Sequence, residues 1–174
     1  MNPHQQALHW AHQYLIKSEK SEILSQLKIV ETAYSLVYKI ETTKQTVYLK
    51  QVPKALFLEP TTLIFLNGKN TEHIPTLLAQ NTELRCFIMT ASGDISLRQR
   101  FNEAQVQKGI LNYTHIQRSL ESEPQALFRL DIPDWRLKAF SSLYAQLIKK
   151  EELLTVNCPN FNLTSAISPS LRIL

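Results

Sequence analysis

Two short runs constrain this chain more than anything else in it. Residues 34–41 read Tyr-Ser-Leu-Val-Tyr-Lys-Ile-Glu, and residues 46–52 read Thr-Val-Tyr-Leu-Lys-Gln-Val, with Thr42-Thr43-Lys44-Gln45 between them. β-branched and aromatic residues on either side of a short polar turn predict an antiparallel hairpin. Pro53 ends the second strand, because it has no N–H for the ladder. From about Leu56 to Asn67 the apolar positions Leu63, Ile64 and Leu66 fit a helix, stopped at Asn67-Gly68. Proline is tolerated only in a helix's first turn, so Pro60 makes this helix begin close to Glu59 or carry an irregular first turn. The pattern puts Lys50 near the end of a strand and Glu59 at the opening of the helix that follows.

The flanking elements are read the same way. Asn2 and Pro3 have the character of an N-cap and a first helical residue, and Ala7, Leu8, Ala11, Tyr14 and Leu15 repeat at helical spacing, so residues 3–17 are predicted helical. Residues 23–30 fit helix or strand by pattern, with a strand favoured in their second half only. Residues 74–79 and 84–90 read as two more strands around Gln80–Glu83, and Ser92-Gly93-Asp94 as a turn. Two helices follow, over roughly 97–120 and 136–154. Strands first and helices afterwards give an α+β class.

Composition narrows the function classes. At 44% hydrophobic and 20% charged residues the chain has an ordinary globular composition. Its net charge of +4 is scattered, which gives no stripe for nucleic acid. No apolar run reaches the ~18 residues of a membrane span, and Met-Asn-Pro-His-Gln-Gln lacks a signal-peptide pattern. A cytoplasmic location is expected, with neither membrane nor nucleic acid as partner. Cys86, in Cys-Phe-Ile-Met, reads as a buried free thiol. Trp10 and Trp135 read as core or interface anchors. Nucleophilic catalysis has no support, since no Gly-x-Ser-x-Gly occurs.

A strand lysine paired with a helical glutamate is how kinase-like folds grip the phosphates of ATP. Tyr48-Leu49-Lys50, Leu58-Glu59-Pro60 with Leu63 and Leu66, Ile74-Pro75-Thr-Leu-Leu, Phe87-Ile-Met-Thr90, and Ser92-Gly93-Asp94 with Leu97-Arg98 resemble, in order and spacing, the aminoglycoside phosphotransferase family. Tyr113-Thr-His-Ile-Gln117 and Ile132-Pro-Asp-Trp-Arg136 are similar to its helical linker region. The resemblance covers about residues 28–154. It implies a kinase-like small lobe, an antiparallel sheet with one packed helix, followed by helices of an incomplete second lobe. The implied division is an N-terminal helix and linker over 1–22, the small lobe over 23–96, a helical segment over 97–155 and an irregular tail over 156–174.

The same resemblance assigns roles. Lys50 would contact the α- and β-phosphates of ATP, and Glu59 would orient it. Residues 32–37, with Ser35, would cover the phosphates, and Met89, Thr90 and Ala91 would offer backbone groups to adenine. The chain departs from a glycine-rich cradle, since its three glycines stand at 68, 93 and 109. It departs further in lacking the family's His-Gly-Asp segment. Its aspartates are Asp94, Asp131 and Asp134, and none follows a histidine. Asp134-Trp135 resembles the family's metal-binding Asp-Trp but falls in the linker pattern.

A general base supplies ~10²–10⁴-fold in rate, and the metal adds to it. The expectation is therefore an ATP-binding N-terminal part of a small-molecule kinase, catalytically incomplete as this chain, that binds ATP weakly. Magnesium is expected only for the complete family enzyme. The tail over 156–174, with Arg172 its one charged residue, fits truncation. The alternative is a non-catalytic interaction module, binding the missing lobe or itself through an exposed apolar face.

Overall fold

Asn2 opens the first helix with a reciprocal cap. Its Oδ1 accepts from the Gln5 N–H at 2.8 Å, while the Gln5 side chain takes the Asn2 N–H at 3.2 Å. Pro3 follows at the first helical position, where a missing N–H costs nothing. The helix, α1, spans Pro3–Lys17 and buries Ala7, Ala11 and Leu15 along one stripe. These are the predicted bounds and part of the predicted apolar face. The computed structural model describes residues 2–69, 74–93, 95–97 and 99–149. The chain divides into two compact units, one running through Ile132 and the other beginning at Pro133.

The first unit is built on a five-stranded antiparallel sheet. Its strands are β1 (Ile23–Glu31), β2 (Leu36–Thr42), β3 (Thr46–Gln51), β4 (Leu77–Asn81) and β5 (Cys86–Thr90), in the order β1-β2-β3-β5-β4. The hairpin of β2 and β3 is the predicted one, closed where the Thr42 hydroxyl donates to the Gln45 carbonyl at 2.7 Å. β1 corrects the sequence reading, being extended along its whole length and not only in its second half. Its backbone pairs with β2 from Ile23 to Glu31, interrupted by irregularities between Ile23 and Ser25 and between Lys28 and Val30. The ladder decides the conformation where the apolar pattern alone was ambiguous.

Alternation along the strands gives the sheet two different faces. Tyr38, Ile40, Val47, Leu49, Cys86 and Ile88 face α1 and form the main core with Ala7, Ala11 and Leu15. Small residues at positions 7 and 11 let the helix lie close to the sheet. Cross-strand register places Val37 opposite Lys50, Lys50 opposite Phe87, and Tyr48 between Lys39 and Met89 on the other face.

A 3₁₀ turn at Lys54–Leu56 leads from β3 to α2 (Glu59–Asn67), so the helix starts at Glu59 as Pro60 requires. Gly68 ends it with ordinary right-handed geometry (φ −64°), so glycine's left-handed freedom is not what stops the helix. After the sheet come α3 (Glu103–Leu120) and α4 (Pro124–Phe128), and the second unit contains α5 (Leu137–Ile148). α3 begins six residues later than its pattern suggested, where the Asn102 side chain caps the Gln105 N–H at 3.0 Å. α4 was not foreseen, because five residues carry no periodicity to read. Trp10 packs at the core margin beside Tyr14, whereas Trp135 is 78% exposed and anchors no core.

Candidate functional site

Lys50 lies one residue from the end of β3, on the face turned away from α1. The chain leaves the strand through Val52, which is buried, and Pro53. It returns over the sheet at Phe57, whose ring meets the Phe87 ring at 6.3 Å and a 60° tilt. Phe87 stands directly opposite Lys50 in the ladder. The aromatic contact therefore brings the start of α2 to Lys50. Glu59, the first residue of α2, accepts a hydrogen bond from the Lys50 ammonium at 2.5 Å. Pro60 and Leu63 bury the helix behind it.

This pair keeps partial contact with water, with side chains 24% exposed at Lys50 and 35% at Glu59. Glu59 also sits at a helix N-terminus, where the macrodipole favours a negative group. The lysine is thereby held extended by a carboxylate that has a second attraction. An incoming polyanion can recruit the ammonium without stranding Glu59.

The sequence reading brought Lys50 and Glu59 into focus and missed their neighbour. Tyr48 lies two residues back on the same face, half-buried between Lys39 and Met89. The Tyr-x-Lys spacing on a strand was the signal, since residues i and i+2 share a face. The two put an aromatic and a cationic side chain on one strand face, an arrangement suited to a base joined to a phosphate. Lys39 has its own partner in Glu41 at 2.9 Å, and the Ser25 hydroxyl donates to the same carboxylate at 2.8 Å. Those contacts, the Lys39 hydrogen bond first, hold the Glu41 carboxyl below its ordinary range.

The other sequence-derived positions are arranged differently. In the turn after β1, the Thr32 Oγ1 accepts from the N–H groups of Tyr34 at 3.2 Å and Ser35 at 3.0 Å. The Thr32 N–H donates to the Ser35 carbonyl at 2.9 Å. These three amides are engaged within the turn and do not form a phosphate cradle. The Ser35 hydroxyl is shielded from solvent and has no hydrogen-bond partner.

Met89 shares the Lys50 face, but Thr90 pairs with Val47 on the α1 face. The Thr90 Oγ1 accepts from the Thr76 N–H, and the Thr90 N–H donates to the Thr76 carbonyl, each at 2.9 Å. The Ala91 N–H is taken by the Thr46 carbonyl at 3.3 Å. An adenine on the Lys50 face would find these two donors already used.

Among the described residues no three His, Cys, Asp or Glu side chains gather as a metal site. In the second unit, both Asp134 oxygens are occupied by Arg136, whose Nε and Nη2 donate at 2.8 and 2.7 Å. That side-chain bonding, first among the causes, holds the Asp134 carboxyl down to about 2. A carboxylate so engaged is a poor magnesium ligand. Cys86 is buried as expected, and desolvation pushes its thiol up to about 12. Asp94, Arg98, His73, Cys158 and the tail over 156–174 lie outside the described residues. No helix among the described residues is long and apolar enough to cross a membrane. Compared with protein-family models, with curated proteins and with solved structures, the chain shows no match.

Proposed function

We propose that this chain is the ATP-binding N-terminal part, small lobe and helical start of the second lobe, of an aminoglycoside phosphotransferase-like small-molecule kinase, the parent reaction being phosphoryl transfer from ATP to a substrate hydroxyl. The observation that carries the reading is the Lys50–Glu59 ion pair, which joins the third strand to the helix that follows it. Kinase-like catalysis needs that pair in place to hold the α- and β-phosphates. The antiparallel sheet, with its one helix inserted between β3 and β4, supports the same reading. In it, Lys50 binds phosphate, Glu59 holds Lys50, and Tyr48 and Met89 offer the base a flat apolar surface.

Among the described residues no cluster of carboxylates or imidazoles that would fit magnesium gathers at Lys50. A general base and the metal ligands have to come from groups other than those gathered around Lys50. Titration calorimetry with ATP tests the reading. Weak binding that is nearly indifferent to magnesium and lost in Lys50→Ala is expected. Tight magnesium-dependent binding that survives Lys50→Ala would place the nucleotide elsewhere.

A second reading, an interaction module that binds a protein partner, is favoured by α5. Leu137, Phe140, Tyr144 and Leu147 follow one another at helical spacing and all are exposed. Absence of any ATP binding, together with a mass above that of the monomer in light scattering, would favour it.

A further inference from the structure

α2 is gripped at both ends. At its start Glu59 takes the Lys50 ammonium. Just beyond its end, the Lys69 N–H donates to the Leu66 carbonyl at 3.0 Å, so the backbone of Lys69 moves with the last turn. The Lys69 side chain runs beside Phe65, its ammonium 5.5 Å from the ring centroid. From there it reaches both carboxylate oxygens of Glu123, at 2.5 and 2.6 Å. Glu123 stands in the corner between α3 and α4, where its N–H donates to the Leu120 carbonyl at 3.0 Å.

We infer that Lys69 and Glu123 are positioning residues, which couple the α3–α4 corner to the spacing between Glu59 and Lys50. A nine-residue helix is a rod of ~13 Å whose hydrogen-bonded turns move together. Packed helices shift by ~1–2 Å when an element is displaced. A 1 Å slide away from β3 would stretch the 2.5 Å Lys50–Glu59 contact to the limit of a hydrogen bond. On the sheet side the Asn67 side-chain amide donates to the Pro75 carbonyl at 3.1 Å and anchors the last turn. The Lys69–Glu123 contact adds a second reference point on the helical segment. Its side chains are 33% and 36% exposed, so the coupling is modest. The role of the spacing in holding phosphate rests on the nucleotide reading above; the mechanical coupling does not.

The test uses Lys69→Glu, Glu123→Lys and the double exchange, each in the full chain. Two readouts are followed: hydrogen exchange of the α2 amides, and the dissociation constant for ATP. Each single reversal should speed α2 exchange and weaken ATP binding by ~2–5-fold, the range an exposed pair allows. The exchanged pair should restore both. Unchanged α2 exchange in the single variants would overturn the coupling whether or not ATP binds. Faster exchange, rescued by the double variant, with ATP affinity sensitive to Lys50→Ala but not to Lys69→Glu, would overturn the link to phosphate. Rescued exchange in a chain that binds no ATP would uphold the coupling and remove the nucleotide reading.

Discussion

Lys50 and Phe87 stand directly opposite each other on neighbouring strands, and they are treated oppositely by their surroundings. Phe87 is fully buried under Phe57, whereas the Lys50 ammonium rises past that contact to Glu59. The apolar residue fixes the floor, and the charged one is left at the edge of the water. A cation placed this way is poorly used for folding.

Removing it should therefore cost little. A surface pair contributes ~0–1 kcal/mol; this one, with side chains 24% and 35% exposed, belongs at the upper end of that range, and Lys50→Met keeps much of the stem's apolar contact. The urea midpoint of Lys50→Met should fall by no more than that contribution implies, with the slope unchanged. A loss several times larger would make the pair a structural strut and weaken the case for a ligand site.

Tyr48 should behave as a contact for a base. Stacking of a base on an aromatic ring is worth ~1–3 kcal/mol by alanine substitution. Tyr48→Ala should thus weaken ATP binding by ~5–150-fold, while Tyr48→Phe keeps the ring and stays near the parent. Equal losses in both variants would mean the phenol oxygen matters and the stacking argument is wrong.

Much of this arrangement could be read before the fold was known, for definite reasons. α1 was legible to the residue because Asn2-Pro3 is a chemical start signal and Ala7, Ala11 and Leu15 mark one face. The β2–β3 hairpin was legible because two β-rich runs leave room for only one turn. β1 was only half legible, since Ile-Leu-Ser-Gln-Leu-Lys-Ile-Val serves either period and its pairing with β2 is a tertiary fact. Lys50 and Glu59 could be named, but the contact that joins them depends on Phe57 meeting Phe87, thirty residues away. The engaged amides of the Thr32–Ser35 turn and of Thr90 and Ala91 were invisible, because sequence shows which groups exist and not which are already bonded.

The close approach of α1 to the sheet gives a prediction about size. Ala11 is wholly buried in the cluster with Ile40, Val47 and Leu49. Enlarging it leaves helix propensity almost untouched, because Ala and Leu are both strong helix formers. Ala11→Leu should nevertheless destabilise the fold by ~1–3 kcal/mol through overpacking. A leucine at an exposed α1 position would not, and Gln13→Leu, which removes only an exposed side-chain contact to His9, serves as that control. Equal chemical-denaturation midpoints for the two variants would show that α1 does not lie against the sheet as described.

Asp134 gives a prediction about pH. Arg136 donates from Nε, Nη2 and its backbone N–H to the Asp134 carboxylate, and this holds the carboxyl at about 2, below the ordinary 3.8. Because the folded value is the lower one, the contact favours the folded form fully above the unfolded value near 4. That contribution fades as pH falls toward 2, when the carboxylate takes a proton. Both groups face solvent, so salt should weaken the effect. Carboxyl carbon shifts followed by NMR should place the Asp134 midpoint near 2 in dilute buffer, higher in molar salt, and close to the ordinary value in Arg136→Gln. Magnesium chloride should do no more than sodium chloride at equal ionic strength, because both oxygens are already bonded. A magnesium-specific displacement of the Asp134 resonance would instead identify Asp134 as a metal ligand.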